Sequence, residues 1–141
     1  MNTKRLLSTV MLLLVTASLL LAACAPAAPA TPAAADPTAI AQEFYKATNA
    51  GDIEAAMALV AEDVKCRGGC YLTGKEAFRS FIQGSINLGR GGHVELSDLQ
   101  VEGDKVTYYW KAYNKDGNLS ASGVEALQIR DGLIILMETN L

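Results

Sequence analysis

The apolar positions after residue 36 follow a helical period first and an alternating period afterwards. Spacings of three and four residues predict three amphipathic helices, which begin at Asp36-Pro37, at Asp52 and at Thr73-Gly74. The inward positions are Ile40, Ala41, Phe44, Tyr45 and Thr48 in the first helix, Ala55, Ala56, Leu59 and Val60 in the second, and Phe78, Phe81, Ile82 and Ile86 in the third. The second helix is expected to close at Glu62-Asp63. A strand pair is predicted over 64–73, and a loose glycine-rich segment over 84–92.

The C-terminal part alternates apolar and polar residues and predicts four strands. Turn signals containing glycine separate them, because glycine readily adopts the positive φ of hairpin turns. The predicted strands are 93–102, 104–115, 119–130 and 133–140. In the second of them, Tyr108 and Trp110 share one face with Val106 and Ala112. Helices followed by a long antiparallel meander indicate the α+β class, in one domain over 37–141.

The first 24 residues have the pattern of an export signal. Two basic residues precede an apolar run from Leu6 to Leu21, and the run ends in Leu21-Ala22-Ala23-Cys24. This ending resembles the bacterial lipobox, which implies lipidation of the Cys24 thiol and cleavage before that residue. An uncleaved transmembrane helix and a plain signal peptide cut elsewhere are the alternatives.

These features divide the chain into a signal peptide over 1–23, a lipidated cysteine with an Ala/Pro tether over 24–36, and the domain over 37–141. They predict lipid anchoring on the extracytoplasmic side of the cell membrane or the outer membrane. Without Lys4 and Arg5 the chain has 10 Lys+Arg (12 minus 2) against 15 Asp+Glu. This acidic balance disfavours nucleic acid and anionic headgroups as partners, so the lipid is the expected membrane attachment.

Two cysteines remain, Cys66 and Cys70, separated by Arg67-Gly68-Gly69. A disulfide is predicted, because an exported chain meets an oxidising compartment and the glycine pair lets the chain reverse tightly. Half of a zinc site and a pair of free thiols are the alternatives. A zinc site needs further ligands and the chain has one histidine, so neither a metal nor a cofactor is predicted.

Four segments resemble the nuclear transport factor 2-like superfamily, and the branch of SnoaL-like polyketide cyclases and ketosteroid isomerases is the most similar. They are Phe44–Asp52, Leu59–Val64, Gly74–Ala77 and Arg130–Ile134. The resemblance covers about 38–140 and implies three N-terminal helices packed in a strongly curved antiparallel sheet, a cone with a pocket at its open end. It also implies a homodimer, because many members pair through the sheet.

The ketosteroid isomerase pattern implies three catalytic groups, and one of them is present here. The tyrosine of the first helix falls on Phe44, while Tyr45 lies about 100° further around the helix. The carboxylate base falls near Gly68, which transfers no proton. The acid on the third long strand corresponds to Glu125. Isomerase chemistry of this type is therefore disfavoured.

Glu125 alternates with Leu127 and Ile129, which predicts that it faces the core, where burial would raise its pKa and allow it to act as a neutral acid. The alternative is a glutamate at the rim of the strand, paired with Lys111 or Arg130. The expected lining of a ligand pocket is Phe44, Tyr45, Tyr108, Trp110 and Glu125, although Tyr108 and Trp110 also fit a plain core. His93 is a weak catalytic candidate, because its alternation places it on the solvent side.

The sequence thus predicts a membrane-anchored lipoprotein whose domain binds a small apolar ligand without the usual catalytic set, and so favours a protein that is not an enzyme. A small-molecule isomerase, dehydratase or cyclase that uses Glu125 with Tyr45 or His93 is the first alternative. A homodimeric interaction or adaptor module of the cell envelope is the second.

Overall fold

The computed structural model describes residues 36–89 and 91–140. The predicted signal peptide, the lipidated Cys24 and the tether lie outside these residues, so they stay predictions. Within the described ranges, no helix is long and apolar enough to cross a membrane.

Three helices precede or flank the first strands: α1 at Pro37–Ala50, α2 at Ile53–Ala58 and α3 at Lys75–Leu88. The Asp36 carboxylate caps α1 by accepting a hydrogen bond from the Thr38 amide at 2.9 Å. Gly51 ends α1 with a φ of 72°, and Asp52 caps α2 one residue later. The left-handed glycine therefore turns the chain sharply between two consecutive helices.

Two predicted helix ends are wrong. The second helix ends at Ala58 instead of Glu62-Asp63, because Val60 begins a strand and is buried in the sheet. The third helix continues to Leu88, through the segment over 84–92 that was predicted to be loose. Its last turns are held by tertiary packing, since Ile86 contacts the core.

Six strands form one sheet, whose spatial order is β2-β1-β6-β5-β4-β3. Their bounds are Val60–Gly68 (β1), Leu72–Thr73 (β2), His93–Glu102 (β3), Lys105–Tyr113 (β4), Leu119–Arg130 (β5) and Leu133–Asn140 (β6). The predicted all-antiparallel sheet is wrong, because β1 pairs with β6 in parallel and the sheet is mixed. Hairpins fix the antiparallel order from β3 to β6, whereas no hairpin joins β1 to β6, so local turn geometry does not set their orientation.

The core lies between the helices and one face of this curved sheet. Phe44 from α1 and Phe78 from α3 pack with their ring centroids 6.2 Å apart. Bulges interrupt the β3–β4 and β5–β6 ladders, and such bulges bend a strand locally. The helices consequently contact a concave surface, on which the candidate site lies.

Candidate binding site around Glu125

Glu125 is a buried carboxylate in the middle of β5, with 4% of its surface exposed. Its Oε1 atom accepts a hydrogen bond from the Tyr45 hydroxyl at 2.6 Å and a second one from the Tyr108 hydroxyl. Its Oε2 atom accepts from Thr139 Oγ1 at 2.7 Å. Four elements, α1, β4, β5 and β6, therefore converge on one carboxyl group, and we call these four residues the Glu125 cluster.

Strand register explains why Thr139 belongs to this cluster. Counting residues from the β5–β6 turn, where Arg130 pairs with Leu133, would place Glu138 opposite Glu125. A bulge shifts the register by one residue between Gln128 and Ile129, so Thr139 lies opposite Glu125. A shift of one residue exchanges the faces of a strand, and the bulge thus replaces a second carboxylate with a hydroxyl donor.

Burial dominates the electrostatics of the cluster. Desolvation raises the pKa of Glu125, while hydrogen bonds from Tyr108, Tyr45 and Thr139 act in the opposite direction by stabilising the ionised form. Desolvation also raises the pKa of both tyrosines well above the ordinary value, and the nearby Glu125 charge adds to this rise. The two phenols therefore remain protonated near neutral pH and act as hydrogen-bond donors.

Trp110 lies two residues from Tyr108 on the same face of β4 and pairs with Gly123 of β5. A Cβ atom on Gly123 would lie 3.1 Å from Cζ2 and 3.2 Å from Cε2 of the indole, so the ring edge that carries Nε1 rests on the glycine backbone. The buried Nε1 has no hydrogen-bond acceptor among the described residues. Because buried donors are rarely left unpaired, this N–H is a candidate contact for a ligand.

The five predicted pocket residues come together, although not all in the same role. Phe44 is 1% exposed and packs in the core, while the adjacent Tyr45 turns its hydroxyl to the Glu125 carboxylate. The rings of Tyr45 and Tyr108 meet edge to face, with centroids 5.7 Å apart. The first helix therefore supplies a tyrosine hydroxyl to the interior one position after Phe44, the position that the ketosteroid isomerase pattern implies. Thr139 was not predicted, since its position depends on the bulge.

The alternative partners of Glu125 lie elsewhere. Arg130 Nη2 is 3.6 Å from the Asp63 carboxylate, and Lys111 projects from the opposite face of β4. The prediction of a rim glutamate is therefore wrong. His93 is exposed at the start of β3, as its alternation predicts. Its ring stacks on Tyr113, with ring centroids 5.1 Å apart.

The predicted disulfide between Cys66 and Cys70 is confirmed, and both residues belong to the core. In the part of the chain that the structure describes, no three His, Cys, Asp or Glu side chains are grouped so that they could hold a metal ion. The disulfide occupies the turn where the ketosteroid isomerase pattern implies a base.

Comparison with known proteins supports the fold. A family model of the SnoaL-like domain matches residues 41–137. An uncharacterized cystatin-fold protein from Novosphingobium aromaticivorans has a TM-score of 0.64 and 19% identity, over 75% of this chain and 98% of that chain. A proposed polyketide cyclase from Sinorhizobium meliloti has a TM-score of 0.64 and 20% identity, over 72% and 94% of the two chains.

A proposed isomerase of the SnoaL-like family from Agrobacterium tumefaciens also has a TM-score of 0.64, at 18% identity over 74% of this chain and 95% of that chain. No curated protein matches the sequence. The structures agree with the α+β architecture of a curved mixed sheet around helices, the cystatin-like and nuclear transport factor 2-like fold. The chain belongs to the SnoaL-like domain family.

Proposed function

We propose that this protein is an exported lipoprotein whose SnoaL-like domain binds a small, mostly apolar molecule carrying one hydroxyl group. The observation that carries this proposal is the pairing of a buried acceptor with a buried donor. Glu125 Oε2 has one donor among the described residues. Trp110 Nε1 has no acceptor among them, and Trp110 lies on the same face of β4 as Tyr108, which pairs with Glu125.

In this proposal a single hydroxyl group of the ligand bridges both atoms. Its oxygen accepts a hydrogen bond from Trp110 Nε1, and its proton is donated to Oε2 of the ionised Glu125, which retains a free acceptor position. Trp110 and Tyr108 are two residues apart along β4, so their Cα atoms are about 7 Å apart, and Glu125 pairs with Tyr108 on β5. A ligand held in this way places its apolar part against the aromatic side chains of the concave face.

The hydrogen bonds that Glu125 already accepts favour binding of a ligand without turnover. Burial raises the pKa of Glu125, but the three hydroxyls that donate to it act against this rise and occupy both carboxylate oxygens. The two phenols stay protonated and cannot accept a proton near neutral pH. The position of the second carboxylate in the ketosteroid isomerase pattern is taken by Gly68, within the disulfide loop.

Proton-transfer catalysis by Glu125 is the second candidate. Burial raises the pKa of this carboxylate, which is the direction in which enzymes tune a catalytic glutamate. Structures with the same fold include the proposed isomerase and the proposed polyketide cyclase described above. In this case Glu125 would move a proton while Tyr45 and Tyr108 stabilise the developing negative charge.

Membrane anchoring through Cys24 rests on the lipobox-like ending of the signal segment. The Cys66–Cys70 disulfide is consistent with an oxidising compartment outside the cytoplasm. Metabolic labelling with a radioactive fatty acid tests the anchor. We expect label in the wild-type chain and none after Cys24→Ser, and unaltered labelling of Cys24→Ser would contradict lipidation at this residue.

A matched pair of probes tests ligand binding: indan-2-ol, which has an apolar body and one hydroxyl, and indane, which lacks the hydroxyl. Trp110 is the only tryptophan, so its fluorescence reports binding directly. We expect indan-2-ol to bind about 10-fold to 100-fold more tightly than indane, as one buried hydrogen bond to a charged group predicts. Binding should weaken as the pH falls through the Glu125 titration, because the neutral acid is a weaker acceptor for the ligand proton than the carboxylate.

The variant Glu125→Gln keeps the shape of the side chain. Its amide oxygen can accept from both tyrosines, while its amino group faces Thr139 and offers the ligand no acceptor. We expect this variant to bind the two probes equally, with the affinity for indane unchanged. Equal binding of both probes to the wild-type chain would overturn the proposal. Turnover of an apolar ketone that is lost in Glu125→Gln would favour the catalytic alternative.

A further inference from the structure

We infer that the Cys66–Cys70 disulfide is a positioning element for the Glu125 cluster, which acts through Thr139. This inference deepens the proposed function, since it concerns the same carboxylate. It rests on a continuous series of contacts from the disulfide loop to Glu125 Oε2.

The disulfide closes a tight loop at the end of β1, with the two Cα atoms 5.5 Å apart. Gly68, inside the loop, pairs with Thr139 of β6 and has a φ of 82°. A Cβ atom at this position would overlap the backbone carbonyl of Thr139, so the two strands touch without room for a side chain. The next amide, of Gly69, donates a hydrogen bond to that same carbonyl at 2.9 Å.

Two hydrogen bonds therefore fix Thr139, one at its backbone and one at its side chain. Its carbonyl is held by the disulfide loop, and its hydroxyl donates to Glu125 Oε2 at 2.7 Å. Thr139 is the last residue but one of β6 and pairs with Glu125 on β5 and with Gly68 on β1. The disulfide loop adds a hydrogen bond to its carbonyl at the point where both strand pairings end.

The hydrogen bond from Thr139 is made to a different oxygen of Glu125 from those made by the two tyrosines. Tyr45 on α1 and Tyr108 on β4 are the described titratable groups that bond to Glu125, and both donate to Oε1. Thr139 bonds to Oε2. A change in the loop should therefore alter the environment of Oε2 and leave both tyrosine contacts in place.

Reduction of the Cys66–Cys70 disulfide opens the loop. A dithiol such as dithiothreitol transfers two electrons and two protons to the disulfide, the S–S bond breaks, two thiols form, and the reductant closes to a cyclic disulfide. The loop then loses its covalent closure. We expect the Thr139 hydroxyl to leave Oε2 more often, so the ionised carboxylate loses a stabilising donor and titrates at higher pH.

The test is a pH titration of the full chain, purified in detergent and labelled with ¹³C at glutamate Cδ. The Glu125 signal is assigned by its loss in Glu125→Gln. We expect the midpoint to move to higher pH on reduction with dithiothreitol, and to move equally in the double variant Cys66→Ser/Cys70→Ser, where the reductant has no further effect. In Thr139→Val, which already lacks the donor, reduction should cause no shift.

A second variant perturbs the loop while the disulfide stays intact, in case reduction unfolds the domain. Gly68→Ala forces a Cβ atom against the Thr139 carbonyl and should raise the Glu125 midpoint. Gly103→Ala is the matched control, because Gly103 also has a positive φ, of 63°, but no atom lies within 4 Å of the added Cβ. It should leave the midpoint unchanged.

An unchanged midpoint in both the reduced chain and Gly68→Ala would overturn the inference, as would a full shift on reduction in the Thr139→Val background. The readout needs no ligand. Failure of the positioning role therefore leaves the probe-binding result intact, and failure of probe binding leaves this titration interpretable.

Discussion

Replacing Thr139 with valine removes the hydroxyl that donates to Glu125 Oε2 at 2.7 Å and keeps the side-chain volume nearly unchanged. Valine also suits a strand, so backbone propensity should contribute little. The variant thus isolates one hydrogen bond in the Glu125 cluster. Among the described residues no other donor reaches Oε2, and Glu125 is 4% exposed, so water replaces the lost hydroxyl poorly.

The cost should depend on the charge of Glu125. When the carboxylate is ionised, loss of the donor should lower the free energy of unfolding by about 1.5–3 kcal/mol, the range for hydrogen bonds to charged groups. When the carboxyl is neutral, the pair is an ordinary hydrogen bond and the loss should be about 0.5–1.5 kcal/mol. The destabilisation should therefore increase with pH.

The direction of this pH dependence follows from the linkage between proton binding and folding. Burial raises the folded pKa of Glu125 above its unfolded value, so the corresponding stability is present at low pH and is lost as the pH rises through the folded pKa. Thr139→Val removes a hydrogen bond that lowers this pKa. The folded pKa of the variant rises further, and the loss at high pH becomes larger.

Urea unfolding of a chain that starts at Asp36 measures this cost, with the fluorescence of Trp110 and far-UV circular dichroism as signals. The buried apolar residues of the described fold lie between 41 and 137, so this chain retains that core. Thr107→Val is the matched control, because Thr107 lies on the opposite face of β4 from Tyr108. It should change stability by less than about 0.5 kcal/mol at every pH. Equal, pH-independent changes in the two variants would refute the reasoning.

Three further predictions concern the surroundings of the site. In an alkaline absorbance titration, Tyr45 and Tyr108 should ionise only as the fold is lost. Their pKa values are raised in the folded state, so the stability that the neutral phenols contribute is lost as the pH rises through those folded pKa values. Each Tyr→Phe variant should remove one late-ionising group. Gly123→Ala should destabilise by about 1–3 kcal/mol and alter Trp110 fluorescence, since the methyl group presses on the indole and a neighbouring carbonyl. Asn49→Ala should cost about 1–3 kcal/mol in urea unfolding, because its side-chain amide donates to the Val94 carbonyl and accepts from the Val94 N–H, each at 2.8 Å, and both bonds are lost.

Local patterns predict most of the elements of this fold. The four C-terminal strands agree with prediction to within two residues, because glycine turns interrupt a clear alternation. The apolar spacing predicts an end of α2 that is too late in the chain. Leu59 and Val60 continue the helical spacing, although the chain already turns into β1 there. A helical period and a buried strand start cannot be distinguished over so few residues.

Long-range pairing limits what the sequence predicts about the site. Glu125 was expected inside because the alternation along β5 is local information. Thr139 was missed because its face depends on a bulge, and simple counting from the turn puts Glu138 there. Tyr45 reaches the carboxylate although Phe44 occupies the aligned position, because α1 packs against α3 on one side and against the sheet on the other.

The most direct test of the central claim uses the single indole N–H of the chain, which belongs to Trp110. Its ¹H–¹⁵N resonance is followed while indan-2-ol is added to the wild-type chain and to Glu125→Gln. We predict a saturable downfield shift in the wild-type chain, as expected when the N–H gains an acceptor, and a much weaker response in the variant. An indole resonance that stays unchanged at saturating indan-2-ol, or that moves identically in both chains, would contradict a ligand site built from Trp110 and Glu125.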